Sequence, residues 1–194
     1  MILSNVEIIK CLKRKDFLIE PLEQSVDPGK PPFNTSSIDL RLNDEIIVPK
    51  HEYPITLDLQ SGKPIAKLLN DSSEKHIISK ERPFILEKNK FILANTIEKV
   101  SFPINDKMGK GCYSARVEGK SSIARCGVIV HFTAPTIHSN FFGPITLEIS
   151  ILSDYKFTLI PGMYICQLII EEVKGCPKIA PNQFSGQISP SGIR

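Results

Sequence analysis

Apolar and polar residues alternate cleanly over 145–151: Ile145, Leu147, Ile149 and Ile151 face one way, Thr146, Glu148 and Ser150 the other. A period of two is that of a half-buried strand. The same alternation runs through Ser36-Ser37-Ile38-Asp39-Leu40-Arg41-Leu42, after which Asn43-Asp44 marks a turn. Short apolar runs at 83–86, 91–94 and 100–103, punctuated by 87–90, Asn95 and Asn105-Asp106, predict further strands. Residues 157–160 and 164–173 flank Pro161-Gly162 and predict a hairpin. Residues 51–82 are weakly patterned; a short strand at 55–59 and otherwise loops are expected there. The clearest helical spacing is Val6, Ile9 and Leu12, behind a capping box at Ser4-Asn5-Val6-Glu7 and ahead of Lys13-Arg14-Lys15 at the negative end of the helix dipole. Many short strands and no long 3.6-residue period predict an all-β barrel or sandwich.

Length and composition narrow the class. A chain of 194 residues, 41% apolar and 23% charged, suits one globular domain, 1–194. Residues 175–194, rich in Pro and Gly, are expected to be a frayed tail or a C-terminal lid ordered by ligand. No apolar run approaches the roughly 20 residues of a membrane helix, and Ser4, Asn5, Glu7 and Lys10 interrupt any signal-peptide core. A cytoplasmic protein with no membrane partner is expected. The net charge of +3, with Lys and Glu interleaved, does not build a nucleic-acid surface. Five widely spaced cysteines without a C-x-x-C pair read as reduced, mostly buried thiols.

The chemistry gathers between 115 and 148. In Gly119-Lys120-Ser121-Ser122-Ile123-Ala124-Arg125, two hydroxyls sit between two cations, and a short helix starting near Ser121 would aim N–H groups at an anion. A capped turn with solvated cations fits the same residues. The segment ends like a Walker A loop, but the first Gly of that loop would fall at Ser114 and no long helix follows. Glu148 leaves the core face of its strand, toward bulk water or toward a cleft shared with the Ser/Arg loop, where it would be a general base tuned by Arg125. His131 reads as a strand residue with a satisfied ring, and His138 as a loop residue. Neither has a partner at metal-ligand spacing, and the H-x-E with P-C-x-x-C pattern of zinc deaminases is absent, so no zinc is expected.

Taken together, 117–127, Val130-His131-Phe132-Thr133-Ala134, Ile137, Gly143 and Ile145-Thr146-Leu147-Glu148 resemble, in order and spacing, the dCTP deaminases of the trimeric dUTPase superfamily. Ser37-Ile38-Asp39-Leu40-Arg41-Leu42, Pro161-Gly162-Met163 and Phe184-Ser185-Gly186-Gln187 extend the resemblance over nearly the whole chain. It implies a mainly β fold, a distorted β-barrel of the dUTPase-like β-clip kind with a short N-terminal helix and few other short helices. It also implies a homotrimer with nucleotide sites between subunits.

Glu148 would then be the general acid/base, Ser121 and the Ala134 carbonyl would hold the attacking water, and Arg125 would orient and balance the site. Lys120, Ser122, Ile123, Ala124, His138, Thr146, Leu147, Gln183 and Gln187 would hold the nucleotide, with Mg²⁺ entering on the triphosphate. The implied reaction is zinc-independent deamination of dCTP to dUTP and ammonia, with dTTP as an inhibitor. The alternatives are a bifunctional enzyme giving dUMP and pyrophosphate, and a weakly catalytic nucleotide-binding regulator. The chain departs from the family pattern at Lys120, where Arg is usual, at His138, where Asp is expected, and at Pro135, which has no N–H. The tail also lacks the usual Tyr and Lys before its last Gln; Gln183 and Phe184 stand in that region.

Overall fold

The computed structural model describes residues 1–22, 27–50, 65–104, 111–180 and 184–192. Helix α1 (Asn5–Arg14) begins where Ser4 accepts from Glu7 N and ends at Lys15 in the left-handed region, φ 57°. Only the Ser4 half of the expected capping box is made through that bond; Glu7 spends its carboxylate on Lys10 and Arg14. Ile8, Ile9 and Cys11 bury the inner face.

Short strands β1 (Leu18–Glu20) and β2 (Phe33–Asn34) lead to β3 (Ser37–Pro49). The strand does not turn at Asn43-Asp44. It runs on, and the two polar residues fall where its register against β6 (Phe91–Ser101) slips between Leu42 and Ile46. The turn signal is realised as a bulge, with Asn43 Nδ2 donating to Asn95 Oδ1 at 3.1 Å.

Residues 65–77 correct the loop expectation, forming α2 (Ile65–Asp71) and β4 (Ser73–Ile77), which pairs with β3. The strand expected at 55–59 lies outside the described residues. The runs at 91–94 and 100–103 belong largely to the single strand β6, because Asn95, Thr96 and Glu98 are buried polar links and not a turn. Between β5 (Phe84–Leu86) and β11 (Phe157–Leu159) a separate two-stranded ribbon forms.

Strand β7 (Cys112–Gly119), α3 (Ser121–Ala124), β8 (Val128–Ile129), β9 (Thr136–Ile137) and β10 (Phe142–Ile151) carry the chemical segment, and β12 (Tyr164–Val173) closes the series. The expected hairpin is not made: Gly162 turns with φ 84°, but β12 pairs with β3 and β7 while β11 pairs with β5.

The main sheet is ordered β8-β10-β6-β3-β12-β7-β9. Residues 38–41 of β3 pair with β12 and residues 42–47 with β6, so one strand joins both halves of the curled sheet. Its core holds Ile38, Leu40 and Leu42 of β3 with Ile145, Leu147 and Ile149 of β10, all essentially without solvent contact. This mainly β architecture with few short helices is the one the sequence implies. Cys11, Cys112 and Cys166 are buried, Cys126 is half-buried and Cys176 exposed, and none forms a disulfide. Among the described residues no helix is long and apolar enough to cross a membrane.

Candidate active site

The alternation of β10 places Thr146 and Glu148 opposite the sealed Leu147 and Ile149. They face a cleft of about 380 Å³, within the size range of small-molecule sites. One wall is Leu93 of β6 and Ile145, Thr146 and Glu148 of β10; the other is Val117 of β7 with His131, Ala134, Thr136, Ile137 and His138. Glu148 Oε2 accepts from Phe132 N at 3.1 Å, which ties the acid to the strand-to-strand loop that also carries Ala134. Pro135 O in turn accepts from Val117 N at 2.9 Å and fixes that loop to β7.

The roof comes from the tail. Phe184, Gln187, Pro190, Ser191 and Gly192 line the cleft, with Leu69 of α2 beside them. Gln187 is 5% exposed, and its Nε2 donates to Pro144 O at 2.9 Å and to Thr146 Oγ1 at 3.0 Å. Gly186 N donates to Phe142 O at 2.7 Å, and Asn95 Nδ2 to Ile188 O at 3.5 Å. Two glycines make this approach possible. A Cβ on Gly143, at φ +133°, would come within 3.1 Å of Gln187 O, and one on Gly192, at φ +88°, within 2.9 Å of the Phe184 ring. Residues 184–192 of the tail thus pack on their own chain.

His131 differs from expectation. It lies in the loop after β8, with Nε2 3.4 Å from Glu118 Oε2, and its buried Nδ1 has no hydrogen-bond partner among the described residues.

The second chemical segment stands elsewhere. Ser121, Ser122, Ala124 and Arg125 are exposed and do not line the cleft. Helix α3 is a single turn in which Ile123 N and Ala124 N both donate to Lys120 O, at 3.0 and 2.9 Å. The Lys120 ammonium pairs with Asp39 and lies 5.8 Å from the Tyr164 ring centre. Ile123 and Leu147 turn their side chains into the core.

Within one chain the structure therefore gathers Glu148, Thr146, Ala134, His138 and Gln187, and keeps the 120–125 loop apart from them. Gln183 lies outside the described residues. The cleft also uses Phe132 N, Thr136, Phe141, Leu69 and 190–192, which sequence reasoning did not select. Of these, Phe132 stands in the 130–134 motif and the Pro190 to Gly192 stretch has turn-forming composition; the others carried no signal. Among the described residues no three His, Cys, Asp or Glu side chains form a metal-holding group.

A fold built on one bulged sheet, with an acid on a central strand under a docked tail, has clear relatives. A model of the dCTP deaminase-like family matches residues 2–173, and the chain belongs to that family. It is 38% identical over 168 residues to a dUMP-forming dCTP deaminase of Dictyoglomus turgidum, covering 87% of this chain and 78% of the relative. It is 34% identical over 200 residues to a dCTP deaminase of Haloarcula marismortui, covering 100% of this chain and 94% of the relative. Among solved structures, the 2'-deoxycytidine 5'-triphosphate deaminase from Agrobacterium tumefaciens superposes with a TM-score of 0.63 at 18% identity, over 87% of this chain and 47% of that one. The present chain thus spans about half of that structure, and the likeness is one of fold.

Proposed function

We propose that this protein deaminates dCTP without zinc, taking Mg·dCTP as substrate and releasing dUTP and ammonia. The observation that carries the reading is the Glu148 carboxylate: it is turned to a roofed cleft and held by Phe132 N beside Ala134, on the motif that the family match covers. Glu148 takes a proton from water as the oxygen attacks C4 of cytosine, and passes it to N3. The second proton of that water then goes to the exocyclic nitrogen, the C4–N bond breaks, ammonia leaves and C4=O is formed. General acid/base transfer supplies roughly 10²–10⁴-fold, and the remainder falls to fixed hydrogen bonds and positioning.

Ser121, with the Ala134 carbonyl, holds the water, and Arg125 balances the charge that develops. Ser122, Ile123, Ala124, Thr146, Leu147, His138, Gln183 and Gln187 hold the nucleotide, Ile123 and Leu147 through their backbones. These groups come together when the 121–125 loop of one subunit meets the Glu148 cleft of another in a homotrimer. The exposure of Ser121 and Arg125 away from their own chain's cleft supports that arrangement. A second reading, in which pyrophosphate is also removed to give dUMP, is favoured by the relative named dUMP-forming; it ranks below the first because His138 stands in the cleft wall where an Asp is expected.

Incubation of purified protein with Mg·dCTP, following ammonia, dUTP, dUMP and pyrophosphate, separates these outcomes. Ammonia with dUTP is expected; dUMP with pyrophosphate selects the second reading, and nucleotide binding without product defeats both. Glu148→Gln is expected to abolish ammonia release and leave dCTP affinity within about threefold. Turnover by that variant would remove Glu148 from the mechanism.

A further inference from the structure

We infer that Lys120 acts inside its own subunit, as the counter-ion of Asp39, and that Asp39 and Gln167 are positioning residues for the 121–125 loop. The proposal rests on the deaminase reading for what the loop does, but its geometry is independent of it.

Asp39 is on β3 and 8% exposed. A carboxylate at that depth needs a partner on each oxygen. Its Oδ1 accepts from Asn34 Nδ2 at 2.9 Å, and its Oδ2 takes the Lys120 ammonium. Next to it in the sheet, Gln167 of β12 stands between Asp39 of β3 and Glu118 of β7. Gln167 Nε2 donates to Gly119 O at 3.4 Å, while its Oε1 accepts from Ser37 Oγ at 3.1 Å. The two residues that enter the loop are thus tied to two strands, Gly119 by its carbonyl and Lys120 by its ammonium. The next link is Lys120 O, which accepts from Ile123 N and Ala124 N and so sets the direction in which Ser121, Ser122 and Arg125 project.

This arrangement accounts for lysine at position 120. Asn34 holds one oxygen of Asp39 and the Lys120 ammonium the other, so the carboxylate is satisfied by a single-point cation and needs no guanidinium fork. An ammonium in contact with a nearly buried carboxylate has little charge left to offer a phosphate beyond it. Ser122, Gln187 and the Mg²⁺ of the substrate then hold the triphosphate.

The test compares Asp39→Asn, Lys120→Met, Gln167→Ala, Lys120→Arg and the Asp39→Asn/Lys120→Met double variant. Three quantities are read: kcat and KM with Mg·dCTP, affinity for dCTP relative to dCDP, and amide hydrogen exchange of 123–127 in the nucleotide-free protein. Asp39→Asn and Lys120→Met are each expected to lower kcat roughly 10- to 100-fold through a displaced loop. The double variant should be no slower than the slower single one, as for two ends of one interaction. The dCTP/dCDP affinity ratio should stay constant and exchange of 123–127 should rise in every variant, with Gln167→Ala reporting on the loop if Asp39→Asn fails to fold. Lys120→Arg should not improve dCTP affinity.

A tenfold loss of dCTP affinity in Lys120→Met that spares dCDP, with Asp39→Asn unaffected, overturns the proposal in favour of a phosphate contact. Unchanged exchange in Lys120→Met and Gln167→Ala overturns it as well. If the wild-type protein does not deaminate dCTP, the functional reading fails, and the exchange data still decide the positioning role.

Discussion

Cys166 lies on β12 without solvent contact, and burial pushes its thiol well above the ordinary range, with the carboxylates of Glu98 and Asp39 adding to the effect and Lys120 opposing it. Burial likewise raises Cys11 and the Tyr113 phenol. A thiol ionises near pH 8.5 in the unfolded chain and stays protonated in the folded one. Its stabilising contribution is therefore complete below that pH and lost as pH rises. Denaturation midpoints are expected to fall from pH 8 to pH 10, with a shallower slope in Cys166→Ala. The neighbouring Glu98, 3% exposed at its side chain, accepts from Arg41 N at 2.8 Å and from Arg41 Nε at 2.6 Å. Removing one partner of so enclosed a pair costs roughly 3–5 kcal/mol; because Arg41 keeps some solvent contact, Glu98→Ala should lie near the lower end in urea titration.

At the scale of elements, the docked tail depends on glycine. Gly143→Ala combines a positive φ with a contact against Gln187 O, at a cost on the order of 1–2 kcal/mol. Limited proteolysis should then cut within 184–192 faster than in the wild type, while the sheet stays intact. Residues 175–194 were legible only as a tail or lid with Gln187 in it; how 184–192 dock was not, since single side chains such as Gln187 and backbone bonds such as Gly186 N to Phe142 O leave no periodic trace. Strand β10 was legible because one face is sealed and the other is not, and the same alternation turned Glu148 away from the core. Strand β4 was not, because Ser73-Glu74-Lys75-His76-Ile77 has no sealed face; it is a charged strand against the end of β3. Strand β6 looked like two strands because its middle is polar. There Thr96 Oγ1 donates to Glu98 O at 2.7 Å and accepts from Ile145 N at 3.0 Å, so side chains replace ladder bonds where registers slip. The hairpin expected around Gly162 failed for a related reason: a turn fixes where the chain reverses, not which strand it joins.

For the whole molecule, the separation of Ser121 and Arg125 from the Glu148 cleft has a direct assay. Glu148→Gln and Ser121→Ala are each expected to be inactive alone. Unfolded together and refolded as a mixture, they should regain part of the wild-type activity, since some sites then combine an intact loop with an intact acid. Recovery no greater than the sum of the two separate proteins would place both groups in one subunit's site. Strand β3, shared by both halves of the sheet, sets how such a protein comes apart. The halves are continuous through one strand, so parting them means stripping β3 from β12 or from β6, and openings that expose an unpaired edge to neighbouring molecules cost a whole ladder. The amides of 38–47 should exchange only through global unfolding, and the chain should resist aggregation up to the temperature at which the whole sheet melts.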